Sequence, residues 1–302
     1  MRFCRFGDER LGLVEGDSIR DVSAALEVLP PHTYPFPQHD VFIASLDAVA
    51  ARARDLARSA PVLPLDQITL LSPVANPGKI IAAPVNYQKH LDEVRDNPQL
   101  HGNNPGHTFS IHSAGLFLKA TSSLVGAGQG IVVRCAKRRT DHEVELAVVI
   151  GRTASRVSRS EALSYVAGYS IGLDISIRGS EDRSFRKSPD SYSVLGPWLV
   201  TADEIPDPSA LDLQITVNGQ VRQQSNTKYM ILGVAELIEM ASAFYTLQPG
   251  DLLFTGTPEG VSPIEAGDHI VATIERIGSM TVVTRADAQR PASAMSGATA
   301  GA

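Results

Sequence analysis

The segment Asp141-His142-Glu143-Val144-Glu145 places two acids two residues apart at the head of an apolar run, Leu146 to Ile150. In an extended strand side chains alternate, so Glu143 and Glu145 share a face with Ala147, while Val144, Leu146 and Val148 take the other. Two carboxylates on one buried face repel each other unless a cation neutralises them. A third acid, Asp174, lies within Ile171-Gly172-Leu173-Asp174-Ile175, where it is costly to bury without a partner. Three carboxylates form a hard, all-oxygen donor set suited to Mg²⁺ or Mn²⁺ better than to Zn²⁺. Spacing alone equally accommodates an exposed, charge-blunted edge strand with Asp174 paired to Arg178.

A second constellation is Asn86-Tyr87-Gln88-Lys89-His90-Leu91-Asp92-Glu93. On a helix His90 and Glu93 share a face, and a carboxylate that fixes one ring nitrogen leaves the other to accept a proton from water. The same spacing also suits a solvated surface pair. In the charged stretch Arg178–Tyr192, Lys187 could face a carboxylate or enolate oxygen, and most of Glu181, Asp182, Arg183 and Arg186 read as an exposed loop. Thr257, between Gly256 and Gly260, offers a hydroxyl where ligand could approach the backbone. His101, His107 and His112 lack metal-ligand spacing, and His142 should face away from the two glutamates.

These residues need elements to hold them. Strands are predicted over Glu143–Ile150 and Tyr169–Ser176, and a short helix over Asn86–Arg95. Ser158-Arg159-Ser160-Glu161 fits a capping box opening a helix through Val166. Val217-Asn218-Gly219-Gln220 signals a hairpin, Val234–Phe244 a helix and Leu252–Phe254 a strand. Arg95–Ser113, rich in Asn, Gly, Pro and His, reads as a long loop bordering the site. Residues 1–72 read as a small unit of hairpins followed by a helix over Ser45–Ala60. Residues 73–288 then form the main domain, and 289–302, small-residue low complexity, a disordered tail.

The 302 residues suffice for a large core, and 27 basic against 33 acidic residues argue against a nucleic-acid or anionic-membrane partner. Two cysteines, Cys4 and Cys135, cannot form a disulfide framework, and no apolar stretch approaches a membrane span. A soluble, cytoplasmic protein is expected.

In order along the chain, NYxxH (Asn86–His90), FLKxxSSLVG (Phe117–Gly126), DxEVELAVVIG (Asp141–Gly151), VAGYSxxxD (Val166–Asp174) and KSxD (Lys187–Asp190) are followed by LGPWLVTADEIPDP (Leu195–Pro208), VNGxxRQxSNT (Val217–Thr227) and PGDLLFTGTPEGV (Pro249–Val261). This ordered set resembles the fumarylacetoacetate hydrolase superfamily from about Pro73 to Thr284. The resemblance implies a β-rich α+β fold, a mixed β-sandwich or roll, usually dimeric, behind a small N-terminal β-containing domain. It implies a metal triad of Glu143, Glu145 and Asp174 for Mg²⁺, with Mn²⁺ or Ca²⁺ possible, and a catalytic His90–Glu93 dyad with Lys187. Tyr87, Arg178, Lys187 and Thr257 would meet the substrate. RGSEDRSFRKS after Asp174 departs from the commoner RDxQ pattern, and the 95–113 stretch resembles an insertion, so the substrate is not borrowed from relatives.

The chemistry expected is hydrolysis of a C–C bond in an acylpyruvate-type 1,3-diketo acid through a metal-bound enolate, in aromatic-compound catabolism. The same enolate chemistry would serve an isomerase or decarboxylase of 2-hydroxyhepta-2,4-diene-1,7-dioate or oxaloacetate type. A catalytically silent ligand-binding relative is the reading from another class.

Overall fold

The computed structural model describes residues 1–288; the tail expected at 289–302 lies outside the described residues. The fold is α+β and dominated by strands. The largest sheet runs Val62–Pro64, Ser18–Asp21, Arg10–Glu15, Arg2–Phe6, Ser193–Thr201, Val166–Asp174, Val144–Ile150, Leu252–Phe254, Ile80–Ala82 and Phe117–Lys119, with two short strands joining off this path. Arg2–Phe6 pairs antiparallel with Ser193–Thr201, so the sheet continues from the N-terminal hairpins into the strands that carry the acids. A five-stranded sheet (Gln220–Asn226, Asp212–Val217, His269–Ile274, Gly278–Ala286, Ile131–Val133) packs against it.

Val144–Ile150 is central, and every residue in it is buried. Val144, Leu146, Val148 and Ile150 pack with Leu213, Ile215, Ile270 and Met280 of the five-stranded sheet. Ala147 and Val149 pack on the opposite face, with Leu195, Phe254 and the N-terminal Phe3 and Phe42. A strand covered on both sides reads as a continuous apolar run, which explains its composition.

The hairpin, the Val234–Phe244 helix and the Leu252–Phe254 strand form as predicted, with Asn218 and Gly219 at φ 52° and 77°, as a two-residue turn with two positive φ values requires. The Ser45–Ala60 helix forms over Leu46–Ala57. Two expectations are corrected. Ser158 and Glu161 do bond, but side chain to side chain, and only a single 3₁₀ turn, Ala162–Tyr165, follows. From Val166 the chain is already strand, because pairing on both sides of VAGYSIGLD outweighs local capping. The 95–113 stretch is no plain loop: it folds into short helices Pro98–His101, Pro105–Thr108 and Ile111–Ala114. The Asn97 and Asn104 side chains cap the first two of these, so residues that suggested a loop serve as helix starts.

Candidate active site

Strand register assembles the acids. Glu145 pairs with Gly172 across Val144–Ile150 and Val166–Asp174, and two residues further the Asp174 N–H donates to the Glu143 carbonyl at 3.0 Å. Glu143 therefore lies opposite Asp174, with Glu145 on the diagonal. All three are buried, and one carboxylate oxygen from each lies within 4.8 Å of the others. The exposed-edge alternative is thereby excluded. Arg178 does not pair with Asp174; it bonds Asp141 and Glu143, each at 2.7 Å.

Cations gather around this cluster. Lys187 Nζ lies 2.5 Å from Glu143 and 2.7 Å from Asp174, and Lys119 Nζ lies 2.5 Å from Asp174. Burial alone would raise the Glu143 carboxyl, but Lys187 and Arg178 outweigh it and hold this acid well below the usual carboxylate range. Glu145 behaves oppositely. Burial, with Asp174 beside it, pushes its carboxyl well above the ordinary value, and its hydrogen bond comes from the Gly256 N–H at 2.7 Å. A buried acid facing two others, with no ion pair of its own among the described residues, calls for further positive charge. The all-oxygen triad thus fits a hard divalent cation.

His90 and Glu93 lie on the helix Gln88–Asp96, with His90 Nδ1 2.9 Å from Glu93 Oε2. Glu93 Oε1 accepts from the Gly260 N–H at 3.1 Å, so the dyad is tied to the turn after Thr257. Gly260 sits at φ 95°, and a Cβ there would come within 2.2 Å of the Arg222 carbonyl, so only glycine presents that N–H. His90 Nε2 makes no hydrogen bond among the described residues, and His90 lines a cavity with Glu143, Glu145, Asp174, Lys187 and Thr257. Arg178, Arg183, Arg186, His107 and Phe117 line the same cavity.

Thr257 is held from both sides: its hydroxyl donates to the Val144 carbonyl and accepts from Gln223 Nε2. Tyr87, expected at the substrate, lies close enough to Glu145 to feel its charge. It precedes the dyad helix, is 1% exposed, and among the described residues its buried hydroxyl has no hydrogen-bond partner. His142 does face away, bonding Gln223 and Ser262.

The helical segment 97–114 closes over the site's edge. Asn104 donates to the Ser180 carbonyl, Arg183 approaches the carbonyls of Gly106 and His107, and Gly102 is pressed against Gly179 so closely that a Cβ would lie 2.3 Å from its backbone. Sequence reasoning missed Lys119, whose signal was a lone lysine ending the apolar strand Phe117-Leu118-Lys119, and Gln223, which nothing in its polar strand marked. It also took Arg183 and Arg186 for solvated residues. Arg186 is 2% exposed and lines the cavity.

Residues 79–284 match the family model described as fumarylacetoacetate (FAA) hydrolase C-terminal. The chain belongs to this family. It is 56% identical over 285 residues to maleylpyruvate hydrolase of Aquipseudomonas alcaligenes, covering 94% of this chain and 99% of that one. The crystal structure of maleylpyruvate hydrolase from Sphingobium sp. SYK-6 in complex with manganese (II) ion and pyruvate superposes with a TM-score of 0.80 at 37% identity, covering 95% and 99% of the two chains. Oxaloacetate tautomerase Fahd2a of Rattus norvegicus is 35% identical over 247 residues, 76% of this chain and 74% of that one.

Proposed function

We propose that this chain is a divalent-metal-dependent hydrolase that cleaves an acylpyruvate of the maleylpyruvate kind into pyruvate and a carboxylic acid, in aromatic-compound catabolism. The observation that carries this reading is a His–Glu dyad and a buried carboxylate triad opening onto one cavity. Glu143, Glu145 and Asp174 would hold the cation, Mg²⁺ by this reading, with Mn²⁺ or Ca²⁺ as substitutes. When bound it supplies Lewis acidity towards a 2-oxo acid.

The protein's own groups then divide the labour. Glu93 orients the His90 ring so that Nε2 takes a proton from water. The water oxygen bonds to the acyl carbonyl carbon, and the bond from that carbon to the neighbouring methylene breaks. The electron pair moves onto the methylene carbon as pyruvate enolate, stabilised by the Lys187 ammonium. His90 returns its proton to that carbon. Arg178 and Thr257 position the pyruvyl end. Free Cys4 and Cys135 suit a cytoplasmic setting, and the family resemblance supports a homodimer, which sedimentation would check. Residues 1–72 serve as a supporting unit and 73–288 as the catalytic one.

The test is pyruvate release from acylpyruvates with Mg²⁺ or Mn²⁺ by wild type, His90→Ala and Glu143→Ala. Loss in both variants is expected. A His90→Ala protein that still releases pyruvate at wild-type rate would overturn the dyad's role. If wild type only interconverts keto and enol forms, the chemistry is tautomerisation.

A further inference from the structure

Arg183 and Arg186 belong to the short helix Arg183–Arg186, which leads into Lys187. The other cavity-lining cations are committed to carboxylates: Arg178 to Asp141 and Glu143, Lys187 to Glu143 and Asp174. Arg183 and Arg186 have no ion pair among the described residues. Arg186 donates Nε to the Glu181 carbonyl and Nη1 to the Ile177 carbonyl, which fixes the plane of its guanidinium and, among the described residues, leaves Nη2 unspent. Among the described residues Arg183 makes two long hydrogen bonds, 3.3–3.4 Å, to backbone carbonyls of the 97–114 segment. Burial, with Arg178 and Arg183 nearby, lowers Arg186 to about 10, although Glu143 and Asp174 act in the opposite sense. A folded chain does not gain by burying a guanidinium on neutral carbonyls beside a second one, unless an anion arrives to pair with them. The same cavity that holds these arginines and the triad is also lined by apolar Val85, Val94, Leu100 and Phe117.

We infer that Arg183 and Arg186 form a carboxylate clamp that selects acylpyruvates bearing a second carboxylate at the end of the acyl chain. This rests on the hydrolase reading above. One end of such a substrate meets the triad, its carbon chain lies along the apolar wall, and its terminal carboxylate is held by two guanidiniums through charge-assisted hydrogen bonds. These are specificity-determining residues: they act on an end of the substrate remote from the bond that breaks.

The clamp is tested by the ratio of kcat/KM for maleylpyruvate to that for acetylpyruvate, which lacks the terminal carboxylate. Measured on one preparation, the ratio cancels any loss of folded enzyme. Arg183→Gln and Arg186→Gln should each lower it about 30-fold, through KM for the diacid, and Arg183→Lys should recover part of the loss. A ratio within about threefold of wild type in both Gln variants would overturn the inference. Should Arg186→Gln fail to fold, the half-buried Arg183 decides alone. Titrating maleate into protein freed of divalent cation reads the clamp without turnover, and its affinity should weaken at least about tenfold in Arg183→Gln. Unchanged maleate affinity counts against the clamp even if the hydrolase reading stands. A wild type that cleaves neither acid defeats the hydrolase reading, and the maleate titration still decides the clamp.

Discussion

The triad and the dyad open onto one cavity but stand on different kinds of backbone. Glu143, Glu145 and Asp174 project from the paired ends of two central strands, packed on both faces. His90 and Glu93 project from a nine-residue helix tied to the turn after Thr257 by the Gly260 N–H and the Lys89–Glu259 ion pair, with Leu91 and Val94 packed against Val261. Register fixes the acids, since a slip of one residue would turn every side chain to the opposite face. The dyad depends instead on a turn that only glycine can make and on a helical cap resting against the 178–187 segment. A charge cluster that must keep its spacing is built on strands, and the His–Glu pair is built on a helix.

Substitutions within the triad should break this comparison most strongly. Glu143→Gln and Glu145→Gln should each lower kcat by about a thousandfold or more, yet shift metal-free stability in opposite directions. Removing the Glu143 charge strips a partner from Arg178 and Lys187 and should cost about 2–4 kcal/mol. The Glu145 carboxyl, raised by burial and by Asp174, is held protonated more firmly in the folded state than in the unfolded one. Its contribution to metal-free stability therefore falls as pH rises above the unfolded value, about 4.3, towards the folded one. Glu145→Gln should remove that loss and raise the metal-free Tm at neutral pH, the reverse of Glu143→Gln. Chemical and thermal denaturation with chelator present would show it, and equal destabilisation by both variants would refute it.

The next effect sharpens the division between strand and helix. Glu93→Gln should lower kcat by about 10²-fold while leaving Mn²⁺ affinity within about twofold of wild type, because it disturbs the base and no ligand. Calorimetric titration of Mn²⁺ beside the rate measurement separates the two. The smallest effect concerns the cap. Burial, with Arg186 and Arg183 nearby, lowers the His107 imidazole to about 4, and its Nδ1–H donates to the His101 carbonyl at 3.0 Å. The fold holds this ring neutral, whereas the unfolded ring takes its proton near 6.5. The stability it lends is complete above about pH 6.5 and drains away as pH falls towards 4. Amides of residues 97–114 should exchange faster over that window, and His107→Gln should flatten the change. An identical pH profile in the variant would show that another group controls the cap.

The parts of the site that follow a period were legible in the sequence. Alternation alone put Glu143 and Glu145 on one face, and helical spacing paired His90 with Glu93, because both depend only on local geometry. What escaped depends on contacts between residues far apart in the chain. Lys119 reaches Asp174 only because its strand pairs with Ile80–Ala82 at the sheet edge. Arg183 and Arg186 looked solvated because their composition is that of a loop, and burial is conferred by the segment packed over them. Ser158–Glu161 failed as a helix start because strand pairing from Val166 competes with capping and wins. Asn97 and Asn104 were read as loop formers, yet the same side-chain oxygens that favour turns also cap helices.

The contact between Gly102 and Gly179 has a consequence for redesign. Two backbones meet there with no room for a single carbon, so the cap and the arginine-bearing turn are shaped as a matched pair, like the halves of a mould. Transplanting either stretch alone into a relative would jam the join, whereas moving residues 95–115 and 178–187 together would carry an intact pocket rim. The pocket rim is thus a two-piece cassette. The strands that hold the carboxylate triad can remain untouched while it is exchanged.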